Sequence, residues 1–150
     1  MDIKTKQNLI RLAQKEVDKA IEKGNSPFGA ILTDSQGNVI VKAHNTQVSS
    51  NDPTAHAEIN LIRKAGKKLN TLFLDNLHIF SNAESCSMCM SACVKRKIRY
   101  YYFGAPCEKS MDPFITPFDI AKKSKIRLKI ETGILKDECT RQIKSARNKL

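Results

Sequence analysis

Apolar side chains recur at helical spacing over residues 3–23. Ile3, Ile10, Ala13, Val17, Ala20 and Ile21 share a face there, and Gly24 offers a C-terminal stop. The period then changes to that of strands. PFGAILTD and VIVKAHN read as two strands joined by the turn SQGN, a hairpin, and TQVSSN after them reads as a loop. At Asp52 the pattern turns helical again. Asp-Pro-Thr is a helix start with Asp52 or Thr54 as cap and Pro53 in the first turn, and the helix runs through His56, Ile59 and Ile62 to Gly66. LHIFSN reads as a short strand, Cys86 to Val94 as a helix, and IRYYYFGA as a β-rich run ending at Gly104. PCEKSMDPFITPF contains three prolines and reads as irregular. In IRLKI, Ile126, Leu128 and Ile130 alternate with Arg127 and Lys129, which predicts a strand. From about residue 136 a basic helix closes the chain.

Helices and strands that interleave after an initial hairpin predict an α/β fold, a three-layer α/β/α sandwich with a mixed central sheet. A chain of 150 residues without linker, repeat or low-complexity segment predicts a single domain over 1–150. No apolar run approaches the roughly 20 residues that span a bilayer. The first twenty residues alternate charged and apolar side chains and show no signal-peptide core, so a soluble cytoplasmic protein is expected.

Charge adds one asymmetry. The formal net charge is +11. Residues 25–120 carry ten basic and eight acidic side chains, whereas residues 121–150 carry ten basic and three acidic, net +7. The excess sits in the last thirty residues, where it can contact phosphates, line an interface or simply face water.

The five cysteines are odd in number, and Cys86, Cys89 and Cys93 fall within eight residues. That is a metal or redox pattern rather than a disulfide framework. Two segments at predicted helix starts stand out, TAHAE (54–58) and ESCSMC (84–89). Cys86 and Cys89 can offer two thiolates to one zinc ion and His56 a third ligand. The fourth position is then left to water, as in catalytic zinc sites. Helix N-termini favour thiolates. Glu58 is two residues from His56, off its helical face. It is a poor co-ligand but a candidate to take a proton from the bound water. A closed site with Cys93 as fourth ligand and a redox Cys86–Cys89 pair are the competing readings.

His56-Ala57-Glu58 with Cys86-x-x-Cys89 resembles the zinc-dependent deaminase superfamily of cytidine, guanine and tRNA adenosine deaminases, whose signature is H-x-E followed by P-C-x-x-C. PFGA (27–30), His44-Asn45, DPTAHAE (52–58), FGA (103–105) and GILKDEC (133–139) extend the resemblance over most of the chain. It implies Zn2+ held by His56, Cys86 and Cys89, Glu58 as proton shuttle, Asn45 as a hydrogen-bonding partner of the substrate, and Phe28 and Ala57 near the base. The implied reaction is hydrolytic, turning an exocyclic amine into a carbonyl with release of ammonia. One departure is Ser85, where the family usually has proline. Serine can cap a helix instead.

Three functions follow from the resemblance. The favoured one is a deaminase of a free base or nucleoside, guanine-type in particular, because of SSNDPTAHAE (49–58) and of Asp112, which approximately matches an acidic position that reads the purine. The second is tRNA adenosine-to-inosine deamination, motivated by DPTAHAE, GILKDEC and the +7 tail. The third is a non-catalytic zinc domain. The family's habit of assembling implies a homodimer. Cys107, Cys139, His44 and His78 are read as structural, and Glu84 as complementing the helix dipole.

Overall fold

The computed structural model describes residues 1–108 and 114–148. Among these, five strands form one sheet in the order β2-β1-β3-β4-β5, where β1 is Gly29–Thr33, β2 Val39–His44, β3 His78–Ala83, β4 Tyr100–Ala105 and β5 Lys129–Glu131. β1 runs antiparallel to both β2 and β3, while β3, β4 and β5 are parallel. The mixed sheet and the initial hairpin are as expected.

The helices are α1 (Ile3–Glu22), α2 (Gln47–Ser50), α3 (Ala57–Leu69), α4 (Ser87–Lys95), α5 (Pro117–Ser124) and α6 (Lys136–Asn148). Two apolar clusters show the layering. On one face Leu61 and Ala65 of α3 and Met90 and Cys93 of α4 pack with Ile79, Tyr101 and Phe103 of the sheet. On the other, Ile10 and Ala13 of α1 and Cys139 and Ile143 of α6 pack with Ile31, Phe80 and Tyr102. Tyr101 and Tyr102 are therefore both buried, on opposite faces of a central strand, whereas a half-solvated strand would bury only one.

Five local readings are corrected. TQVSSN contains the short helix α2, whose first N–H groups are held by Asn25: its Oδ1 accepts from the Val48 and Ser49 amides at 3.0 and 2.9 Å. Asp52-Pro53-Thr54 precedes α3 as a turn. The Asp52 carboxylate is spent on Thr54, accepting from its amide at 2.8 Å and its hydroxyl at 2.7 Å, so His56 becomes the N-cap. α3 also continues past Gly66 to Leu69 and stops at Asn70 in the left-handed region, φ 50°. α5 lies inside the proline-rich stretch read as irregular: Thr116 and Asp119 form a reciprocal capping box with Pro117 at the first turn. β5 is shorter than IRLKI; Ile126 lies outside it and is exposed.

Two glycines mark where helices press on the sheet. A Cβ on Gly29 would enter the Ala13 carbonyl oxygen of α1, and one on Gly104 would lie 2.5 Å from Cys139 Sγ of α6 and 2.6 Å from the Asn82 carbonyl oxygen. Gly104→Ala is expected to destabilise the fold by about 1–3 kcal/mol, as overpacking does, measured by chemical denaturation.

His78 is buried at the other end of the sheet. It stacks on Tyr100 with ring centroids 4.2 Å apart and reaches the Tyr102 hydroxyl at 3.3 Å. Burial first, and then the charge of Lys129, hold its pKa below the ordinary histidine value. The unfolded chain takes up a proton near pH 6.5 and the folded chain only at lower pH, so this residue removes stability as pH falls below about 6.5. His78→Phe is expected to shrink the drop in melting temperature between pH 7.5 and pH 5.5; an unchanged drop would show that His78 does not carry it.

Candidate active site

The two segments singled out in the sequence meet above the sheet. His56 is the N-cap of α3 and Cys86 the N-cap of α4; both have extended backbone, φ/ψ of −65°/160° and −70°/171°. Neither side chain caps its own helix. Each is left free to project across the gap between the helix starts. Ser85 does not cap α4 either, contrary to expectation. His56 Nδ1 lies 3.5 Å from Cys86 Sγ and 3.4 Å from Cys89 Sγ. With Zn–S near 2.3 Å and Zn–N of 2.0–2.1 Å, a tetrahedral ion separates its nitrogen and sulfur ligands by about 3.5 Å. The three donor atoms are thus already spaced as the vertices of such a site, and all lie within 4.8 Å of one another.

The electrostatics agree with this chemistry. Hydrogen bonding from the Cys89 side chain, above all, and from His56 pulls the Cys86 thiol down to about 4. Its thiolate in turn holds the His56 pKa above the ordinary value. Glu58, in the first turn of α3, is 5% exposed; burial first, then the Cys86 charge, push its carboxyl up. Cys93 stands apart. Among the described residues it is not in the ligand group, and it is fully buried among Ile98, Tyr101 and Met90. Cys93→Ala should therefore leave the zinc content at one ion per chain, measured by metal analysis, whereas Cys86→Ala should lose it.

His56, Glu58 and Cys86 line one cavity together with Phe28 and Asn45. Its volume is about 20 Å³, room for one water. Asn45 is 1% exposed and locked by Gln47: its Oδ1 accepts from the Gln47 amide at 3.0 Å, and its Nδ2 donates to Gln47 Oε1 at 2.8 Å. One N–H and one lone pair of the amide stay available. Ala57 is buried in the core and is not part of the lining. Asp112 lies outside the described residues.

Several residues that shape the site were not anticipated. Asn82 of β3 accepts from the Gly29 amide at 2.9 Å and donates to the Pro27 carbonyl at 3.0 Å, which fixes Phe28 between them. An asparagine inside the strand reading LHIFSN was the available signal. Glu84 does more than face a helix dipole. Its carboxylate accepts from the Cys107 amide at 3.1 Å and the Thr132 hydroxyl at 2.6 Å, tying the end of β4 and the segment after β5 to the cysteine loop. Beside the cavity, Arg147 of α6 pairs with Glu108 at 3.0 Å and stands 5.7 Å over the Phe28 ring. His44, read as structural from the sequence, lies 3.5 Å from Glu16 of α1.

The chain is similar to known proteins. The family described as the cytidine and deoxycytidylate deaminase zinc-binding region matches residues 3–105. The chain belongs to this family. It is a zinc-dependent deaminase by membership. A tRNA-specific adenosine deaminase of Aquifex aeolicus is 36% identical over 115 residues, 77% of this chain and 75% of that protein. A guanine deaminase of Bacillus subtilis is 38% identical over 79 residues, 53% of this chain and 50% of that one. A solved structure described in work on A-to-I editing by tRNA:A34 deaminases at the wobble position superposes with a TM-score of 0.80 at 28% identity, covering 90% of this chain and 98% of the other. No helix among the described residues is long and apolar enough to cross a membrane.

Proposed function

We propose that this deaminase acts on the 6-amino group of adenosine in RNA, with His56, Cys86 and Cys89 holding the zinc, Glu58 moving the protons, and Asn45 and Phe28 meeting the base. The observation that carries the chemistry is one small cavity shared by three donor atoms and a buried carboxylate. Zinc, when bound, lowers the pKa of a coordinated water toward about 7 and so supplies a nucleophile at neutral pH. Glu58 takes a proton from the attacking water and delivers it to the ring nitrogen next to the reacting carbon; a second proton follows to the departing amine. Water and amine become carbonyl and ammonia. Asn45, its amide pinned by Gln47, offers one donor and one acceptor in a fixed direction. Phe28, held by Asn82, presents an apolar ring to the base. The Arg147–Glu108 pair stands beside the cavity, since Glu108 lines it and Arg147 lies over the Phe28 ring.

The choice of substrate reverses the order in which the sequence alone ranks them. The similarity to a tRNA adenosine deaminase extends over 77% of the chain, and that to a guanine deaminase over 53%. A basic α6 with Arg147 beside the cavity also suits a polyanion. The guanine reading keeps a specific support in its 38% identity and in SSNDPTAHAE.

Zinc-loaded protein incubated with an anticodon stem-loop RNA and, separately, with guanine distinguishes the two. Inosine in the RNA with guanine untouched is the expected result. Xanthine from guanine with unaltered RNA would transfer the assignment to the second reading, and turnover of neither would overturn both. Glu58→Ala should keep its zinc and lower turnover of the active substrate by about 10²–10⁴-fold, the usual worth of a general acid–base group. Full activity would remove Glu58 from the mechanism.

A further inference from the structure

Asn45 lines the cavity, and Gln47, two residues on, does not. The position of Gln47 is nevertheless closely set. It is the first residue of α2, and its carbonyl accepts from the Asp52 amide at 3.0 Å. The amides of the next two residues, Val48 and Ser49, both donate to Asn25 Oδ1. The Asn25 side chain is buried and donates in turn to the Ser49 hydroxyl at 2.9 Å. The glutamine side chain therefore starts from a fixed backbone.

Two side-chain amides meet there in a defined order. A carbonyl oxygen only accepts, so the end of the Gln47 amide that reaches the Pro53 carbonyl, at 3.0 Å, is Nε2. Its Oε1 then faces Asn45 and accepts from Nδ2 at 2.8 Å. The Gln47 backbone N–H donates to Asn45 Oδ1 at 3.0 Å. An inverted Asn45 amide would set donor against donor at the backbone and acceptor against acceptor at Oε1. Asn45 is buried, and unpaired polar groups in a buried position cost their full desolvation. The order of donor and acceptor that Asn45 presents to the cavity is thus decided outside it. The Pro53 carbonyl at the start of this chain of bonds belongs to the turn that leads to His56.

We propose that Gln47 is a positioning residue for base recognition: its side chain fixes the Asn45 amide in one of its two orders, so that the free N–H and the free lone pair meet the base in a set arrangement. The proposal rests on the base-meeting role of Asn45 given above. It adds a residue that touches neither the base nor the metal and acts through Asn45.

The test has two arms and uses Gln47→Met, which keeps an unbranched side chain but has no amide to donate or accept. In the first, stability to denaturant is measured on the zinc-loaded protein for Gln47→Met, Asn45→Ala and the double variant. Gln47→Met is expected to lower the folding equilibrium constant about tenfold in the native background, where Asn45 Nδ2 loses its acceptor. In the Asn45→Ala background, where only the bond to Pro53 is lost, about threefold is expected. Equal effects in both backgrounds would overturn the contact. In the second arm, kcat and KM are measured with the substrate that the native protein turns over. Gln47→Met should raise KM about fivefold with kcat and zinc content unchanged, because Asn45 holds the base in ground state and transition state alike. The loss of kcat/KM caused by Asn45→Ala should shrink about fivefold in the Gln47→Met background. An unchanged KM, or independent losses in the two variants, would overturn the positioning role. So would a fall in kcat together with zinc content, which would assign Gln47 to the His56 segment instead. The first arm needs no substrate, so a failed substrate assignment and a failed Gln47–Asn45 contact give different results. If Gln47→Met does not fold, Gln47→Ala takes its place in both arms.

Discussion

The structure depends on two helix starts being held a few ångströms apart. His56 and Cys86 each occupy an N-cap with extended backbone, and their donor atoms come within 3.5 Å because α3 and α4 both begin at the same end of the sheet. The sheet order is what allows this. β1 separates β2 from β3, so α3, which follows β2, and α4, which follows β3, are laid side by side on one face. Helix N-termini carry unpaired N–H groups and the positive end of the dipole, which suits thiolate ligands. A metal bound there also links segments thirty residues apart in sequence, so its binding free energy is in part folding free energy.

The remaining parts support that junction from below and from the side. Asn82 carries the Pro27–Gly29 turn on β3, and Gly29 lets α1 lie directly on β1. Glu84 fastens the cysteine loop to the end of β4 and to Thr132. Gly104 does for α6 what Gly29 does for α1, and Arg147 at the far end of α6 reaches Glu108 and Phe28, which line the cavity. One residue of the basic segment, Arg147, thereby stands beside the site.

Much of this was legible in the sequence. The chemistry was carried by short motifs whose residue types have few other uses: His56-x-Glu58 and Cys86-x-x-Cys89 fall together in space as expected, and the change of period from helix to strand marks the hairpin and most of the sheet. What was missed has identifiable causes. Asp52 and Thr54 have the chemistry of a helix cap but satisfy one another, which moves the cap to His56. α5 was hidden because three prolines outweighed the Thr116–Asp119 capping box. Asn82, Glu84 and the Arg147–Glu108 pair depend on partners distant in sequence, and no local pattern reports such partners. Substrate choice is the least legible property, since the metal cluster serves the deamination chemistry and does not itself read the base.

The central claim is an open zinc site with one nitrogen and two sulfur ligands from the protein. Zinc-edge X-ray absorption on the loaded protein tests it directly. The account predicts two sulfur scatterers at about 2.3 Å and two nitrogen or oxygen scatterers at about 2.0–2.1 Å, one from His56 and one from solvent. A shell of three sulfurs and one nitrogen would mean that Cys93 closes the site, and would contradict it.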